Sequence, residues 1–245
     1  MPRRDRSREV GVGESGDATL LADRTAEEAI ISTLLEAPGV RILSEEAGEV
    51  GPASAEFLAV VDPLDGSSNF SRGIPVYCTS IAVAEGDRLR DVKHALVLDL
   101  VTGAAFESER RRGAFRDGRR IKASKAPSLS GAAVGIDFSG SGREATLRCV
   151  PLIEATRRQV HLGANALELA LLAEGAVDCF VDLREKMRVT DFAAAALVIE
   201  EAGGVVAGGD GRLMNPRLDL SGRWSMLASG NKRLHASLLS VLRLG

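Results

Sequence analysis

The residues of this sequence that could do chemistry are carboxylates standing at the ends of apolar runs. Phe57-Leu58-Ala59-Val60-Val61 stops at Asp62, and Asp65 follows three residues later, ahead of Gly66-Ser67-Ser68. A second apolar run over residues 40–43 closes on Ser44-Glu45-Glu46, and far downstream Asp191 follows Arg188-Val189-Thr190. Magnesium is a hard cation that takes carboxylate oxygens together with waters and phosphate oxygens. Several carboxylates in one pocket repel one another unless cations neutralise them, so the set predicts an oxygen-ligated metal. Two such ions about 3.5–4 Å apart can activate a water and stabilise a leaving oxygen. Gly66 allows backbone N–H groups to approach a ligand closely. The stretch from Asp62 to Ser67 therefore reads as a metal site with a phosphate pocket attached. Taken singly, Asp-x-x-Asp-Gly-Ser is equally an ordinary turn, and Asp191 an ordinary helix cap; only the combination points to chemistry.

These groups need strands and helix starts to hold them. Residues 57–61 are short, continuous and partly β-branched, as a buried strand is, and Pro63 should bend the chain there. Sites in α/β sheets gather beyond the carboxyl ends of strands. Residues 11–23 are Gly-rich and read as a loop turning into a helix over residues 24–36, with Asp23 in the N-cap position and Glu27 and Glu28 in the first turn. Residues 76–84, 92–98 and 104–107 read as strands, and Asp117-Gly118 as the two-residue turn of a hairpin. The arginines at 110–112 and 119–120 suit solvated edge strands. From residue 132 the pattern becomes strand and helix in alternation, with Gly163-Ala164-Asn165 opening one helix and Asp191 starting an Ala-rich one. A β-rich meander half followed by a layered half predicts an α/β protein. The expected units are a tail over residues 1–16, a meander half with the metal motif over 17–130, and an α/β half over 131–245, together one compact unit.

Composition excludes other classes. The chain has 245 residues, is 45% hydrophobic and 27% charged, and carries a net charge of −3. That describes a globular protein with no general attraction to nucleic acid. No apolar stretch approaches the ~20 residues of a membrane span, and no apolar segment follows the basic start as in a signal peptide. Three widely spaced cysteines, Cys78, Cys149 and Cys179, suit buried reduced thiols in a cytoplasmic protein. Three scattered histidines give little support to a His-based metal site or a Ser-His-Asp triad.

Five ordered motifs together resemble the inositol monophosphatase superfamily of magnesium-dependent, lithium-sensitive sugar phosphatases. They are Ser44-Glu45-Glu46, Asp62-Pro-Leu-Asp-Gly-Ser-Ser-Asn-Phe70, Gly113-Ala-Phe-Arg-Asp-Gly118, Thr190-Asp191-Phe-Ala-Ala-Ala-Ala with Glu201-Ala-Gly-Gly204, and Ala228-Ser-Gly-Asn231. The resemblance implies an α-β-α-β-α sandwich, two or three Mg2+ ions and a homodimer. It implies Glu45, Asp62, Asp65 and Asp191 as side-chain metal ligands, with the Leu64 carbonyl as a further one. Ser67 would hold the nucleophilic water, and Asp23, six residues after Asp17, would pair with that hydroxyl. Asp65, Gly66, Ser67, Gly163, Ala164, Asn165 and Asp191 would contact substrate.

Two departures bear on the substrate. Inositol-specific members carry an acid seven residues before the last metal ligand; here that slot is Arg184, in Val181-Asp-Leu-Arg-Glu-Lys-Met-Arg188. Guanidinium suits phosphate better than a neutral polyol. The segment resembles archaeal-type members acting on both inositol monophosphate and fructose 1,6-bisphosphate. Arg184, helped by Lys186 or Arg188, would meet a second phosphate, or else pair with Asp182 and Glu185. The other departure is the short segment ahead of Asp17, where the family carries a whole helix. The alternatives are a phosphatase of 3′-phosphoadenosine 5′-phosphate and a non-catalytic binding member of the same fold.

Overall fold

The computed structural model describes residues 6–14, 16 and 18–244. Its first elements are a small hairpin, β1 (Glu9–Val12) with β2 (Ala18–Leu20), and helix α1 (Leu21–Leu34). The Gly-rich stretch expected as loop thus carries two short strands. The helix begins three residues earlier than expected, so Asp23 is its third residue and not its N-cap. Leu20 is the cap, and its N–H donates to the Asp23 carboxylate at 2.7 Å. Glu27 is buried in the second turn and accepts hydrogen bonds from the Ser44 hydroxyl and the Ala47 N–H.

The first large sheet follows: β3 (Val40–Ser44), β4 (Gly48–Val50), β5 (Phe57–Asp65), then helix α2 (Ser67–Arg72), then β6 (Cys78–Ala84), β7 (Val92–Asp99), β8 (Ala105–Glu109), β9 (Gly113–Arg116) and β10 (Arg119–Arg120). Its eight strands lie in the order β10-β9-β8-β7-β6-β5-β3-β4, with β3 parallel to β5 and the other pairs antiparallel. Asp117 and Gly118 take φ of 49° and 73°, the left-handed pair that a two-residue hairpin turn needs.

The chain does not leave the sheet at Pro63. Strand β5 continues to Asp65 and stays buried from Leu58 on. Its register against β6 shifts between Asp62 and Asp65. That irregularity lets a residue without an N–H sit in a central strand. The Pro63 carbonyl remains satisfied, accepting from the Thr79 hydroxyl at 2.9 Å.

The second sheet comes from β11 (Ala133–Ile136), α3 (Arg143–Ala155), β12 (Arg158–Val160), α4 (Asn165–Ala173), β13 (Cys179–Met187), α5 (Val189–Glu201), β14 (Val205–Gly208), β15 (Trp224–Ser229) and α6 (Lys232–Leu242). Its strand order is β12-β11-β13-β15-β14. Strand β13 runs on to Met187, through alternating charges at residues 182–186 that hide this part of it from an apolar-run reading.

Three apolar layers fix the stacking. Ile30, Ile31 and Leu34 of α1 cover Ile42, Ala59 and Val61 on one face of the first sheet. The opposite face packs on α4 and α5, whose other sides meet β13 and β14. Leu152 of α3 and Leu234 and Leu238 of α6 close the outer face of the second sheet. The result is the α-β-α-β-α sandwich. Helix α5 is apolar nearly all round, as a helix between two sheets must be; Ala193–Ala196 lie no more than 1% exposed. Among the described residues, no helix is long and apolar enough to cross a membrane. Cys78, Cys149 and Cys179 are buried free thiols.

Candidate active site

Three elements deliver the carboxylates to one point. Glu45 follows the end of β3, Asp62 lies near the end of β5, and Asp191 is the third residue of α5. One oxygen from each lies within 4.8 Å of the others. Parallel pairing of β3 with β5 places Ser44 beside Val61, so Glu45 and Asp62 leave the sheet together. Glu46 turns the other way and takes a hydrogen bond from the Thr19 hydroxyl. Two of the three converging carboxylates are anchored locally. Asp62 accepts the Leu64 N–H at 3.1 Å, and Asp191 accepts the Arg188 N–H at 2.8 Å. The cap reading of Asp191 and its place in the constellation thus hold together.

Burial and mutual repulsion raise the pKa of this group. Glu45 is pushed up to about 8, by burial and then by Asp191. Asp62 is held well above its usual range by burial and by Glu45 and Asp65. Asp65 rises to about 7 through burial and Asp191, although the Ala166 N–H at 2.7 Å and the Cys78 thiol at 3.5 Å favour its charged form. Asp191 rises to about 6, mainly by burial. Clustered carboxyls that resist ionisation, offering only hard oxygen donors, are chemically suited to a small divalent cation.

Beside the carboxylates stands one tight turn. Gly66 has φ of 87°, and a Cβ there would lie 2.9 Å from the Val76 carbonyl oxygen and 3.0 Å from the Ala164 side chain. Only glycine fits. Ser67 then opens α2, whose first-turn N–H groups have no partner inside the helix. Gly163, at φ of 73°, faces this turn, and Asn165 begins α4. Asn69 ties the two segments together, its amide donating to Val76 O at 2.9 Å and Leu162 O at 2.7 Å. Ala164 is fully buried behind Gly66, so that residue shapes the turn from behind.

All of this opens into one cavity of about 780 Å³. Glu45, Asp62, Leu64, Asp65 and Asp191 line it, as do Gly66, Ser67, Gly163 and Asn165. Arg184, Lys186 and Arg188 enter from β13 and the residue after it. Arg184 does not pair with Glu185. Its guanidinium grips Asp182 at 2.6 Å and Asp137 at 2.5 Å and donates to the Ser139 carbonyl at 2.8 Å. Lys186 donates to the Gly140 carbonyl at 2.7 Å, and Arg188 sits 3.0 Å from Glu45. Asp23 is not among the cavity-lining residues. Burial, with Glu46 and Glu27 nearby, raises it to about 6. Asp17 lies outside the described residues.

The model of the inositol monophosphatase family matches residues 3–244. The chain belongs to that family. A fructose-1,6-bisphosphatase/inositol-1-monophosphatase of Archaeoglobus fulgidus is 35% identical over 99% of this chain and 91% of its own length. The Nus factor SuhB of Pseudomonas aeruginosa is 36% identical over 81% of this chain and 74% of its own. A solved structure described as an inositol monophosphatase–fructose 1,6-bisphosphatase superposes with a TM-score of 0.87 at 28% identity, covering 98% of this chain and 90% of that one. As a member of the inositol monophosphatase family the chain is a phosphoric monoester hydrolase, and its acidic cluster is one that could hold metal.

Sequence reasoning missed Asn69, Asp137, Ser139 and His161 in this site. Ser139 and His161 are linked at 3.0 Å between hydroxyl and ring nitrogen. They come from loops beside β11 and β12, with no motif of their own. Asn69 was within the quoted Asp62–Phe70 motif, but nothing in its spacing signals that it holds a segment 93 residues away.

Proposed function

We propose that this chain hydrolyses a small sugar or polyol phosphate, inositol monophosphate, fructose 1,6-bisphosphate or both, in a magnesium-dependent reaction. The observation that carries it is the convergence of Glu45, Asp62 and Asp191 oxygens beside the Gly66-Ser67 turn in one cavity. Mg2+ would be held by Glu45, Asp62, Asp65, Asp191 and the Leu64 carbonyl, two or three ions in all. When bound, it supplies Lewis acidity to a water and to the ester oxygen. The chain's own residues do the rest. The Gly66 and Ser67 N–H groups cradle phosphate, and the Ser67 hydroxyl orients the attacking water. Gly163 and Asn165 wall the sugar side. Asp23 is proposed as the acid behind Ser67, and its pKa near 6 suits proton exchange near neutrality. Arg184, held from below by the buried Asp182, acts on the far end of the substrate mainly by fixing Asp137, which lines the cavity and suits sugar hydroxyls. The same reading carries a homodimer, lithium sensitivity and a cytoplasmic setting.

The test is phosphate release from inositol 1-phosphate, fructose 1,6-bisphosphate and 3′-phosphoadenosine 5′-phosphate, with and without Mg2+ and Li+. Magnesium-dependent release from one or both of the first two is expected. No release from any, by well-folded protein, sinks the reading and leaves the binding-protein alternative, which the likeness to SuhB favours.

A further inference from the structure

Arg188 occupies an odd place for a cation. Its backbone N–H caps Asp191 at the start of α5, while its side chain crosses to the end of β3, where Nη1 lies 3.0 Å from Glu45 Oε1. The two side chains are only 14% and 17% exposed. Glu45 is one of the three carboxylates whose oxygens converge. The guanidinium also favours the charged forms of both Glu45 and Asp191. The cavity cations on β13 are committed elsewhere, Arg184 to Asp137 and Asp182 and Lys186 to the Gly140 carbonyl. Asp62 and Asp65 from β5 line the same cavity as Arg188.

We infer that Arg188 is the resident counter-cation of the metal-free site, that metal must displace it from Glu45, and that the released guanidinium then serves as a phosphate ligand in the same cavity. The inference rests on the magnesium reading above. Clustered carboxylates repel unless protons or a cation neutralise them, and a guanidinium supplies positive charge at every physiological pH. A divalent ion held by Glu45 would compete with the guanidinium for the charge of the same carboxylate and would weaken its hold on Arg188. The tether of the guanidinium keeps it on the cavity wall, where its planar donors match phosphate oxygens. Metal affinity is therefore set by an exchange, and metal loading and phosphate binding become coupled.

Calorimetric titration of the metal-stripped full chain with Mg2+, without substrate, separates the possibilities. Arg188→Met should bind Mg2+ about tenfold more tightly than wild type, a coupling of ordinary size. At saturating Mg2+ it should bind inorganic phosphate more weakly. Arg188→Lys keeps a charge without the fork and should bind Mg2+ with intermediate affinity. The Arg188–Asp191 cap uses the backbone N–H, so neither variant removes it. Magnesium affinity in Arg188→Met equal to or below wild type overturns the exchange, and unchanged phosphate affinity overturns the coupling. Should the Met variant fail to fold, the Lys variant decides: tighter magnesium binding supports the exchange, equal or weaker binding overturns it. A wild-type chain that takes up no Mg2+ overturns the magnesium reading itself, and the inference with it.

Discussion

Arg184 shows how a residue's type and its task can diverge. A guanidinium in that slot reads as a phosphate receptor, yet all three of its nitrogens have protein partners. Its side chain is 8% exposed, and Asp182 beneath it is fully buried. Removing one partner of such a cluster strands the others' charges, at about 3–5 kcal/mol. Arg184→Ala should therefore lower the melting temperature and reduce kcat/KM for monophosphate and bisphosphate alike. A loss confined to the bisphosphate, at unchanged melting temperature, would make Arg184 a direct phosphate ligand. The converging carboxylates, by contrast, are legible residue by residue, because a carboxylate at the end of an apolar run has few other uses once several recur. Asp137 was not: it follows a strand like any other acid, and only Arg184 and the Ser139 N–H reveal its part.

At the scale of elements, the site depends on segments that the sequence keeps far apart. Helix α2 and the start of α4 meet through Asn69 alone among the side-chain bonds described above. Asn69→Ala leaves the Val76 and Leu162 carbonyls short of a donor, a cost of about 1–3 kcal/mol. The expected outcome is a KM raised several-fold with a smaller change in kcat, measured on whichever substrate proves best. An effect on kcat alone would argue that Asn69 reaches the reacting atoms. Strand existence was mostly readable from apolar runs, and the Asp117-Gly118 turn from its residue types. The extension of β5 through Pro63 and of β13 through residues 182–187 was not, since both need a neighbouring strand to define them. The motif Ala228-Ser-Gly-Asn231 also has an element-level role. Asn231 caps α6, accepting the Leu234 N–H at 2.9 Å, and clamps the Ser124 and Ala126 carbonyls at 3.1 Å each.

For the whole molecule, the buried acids link folding to pH and metal. Their carboxyls titrate near 4 when unfolded, but Asp191 and Asp23 are raised to about 6, Asp65 to about 7 and Glu45 to about 8. The folded state then holds protons that the unfolded chain has lost. The contribution of these groups to the stability of the metal-free protein is full below about pH 4 and is lost as pH rises toward 8. Melting temperatures in EDTA should decline across that window, and Mg2+ should flatten or reverse the decline. A rising trend in EDTA would contradict these raised values. Between the sheets, α5 sets the spacing with small side chains. Ala195→Leu, at a fully buried position, should cost about 1–3 kcal/mol by overpacking, read as a lower denaturation midpoint.

The sequence by itself determined the chemical inventory: oxygen ligands, a glycine turn with hydroxyls, and alternating apolar segments able to make a layered fold. Those depend on residue type and short spacing, which local rules can read. Only the tertiary structure decided which groups share a pocket and which are already paired. It brought Glu45, Asp62 and Asp191 to within 4.8 Å, left Asp23 off the cavity wall, bound Arg184 to two acids and laid Arg188 on Glu45. The reason is physical. Electrostatic partnership falls off over a few ångströms, and the distances that settle it here join residues as far apart in the chain as Glu45 and Asp191, set by sheet register and helix packing. The stretch from Asp62 to Ser67 is placed to act as the proposed metal and phosphate motif because a parallel strand, a buried helix and one left-handed glycine converge on it.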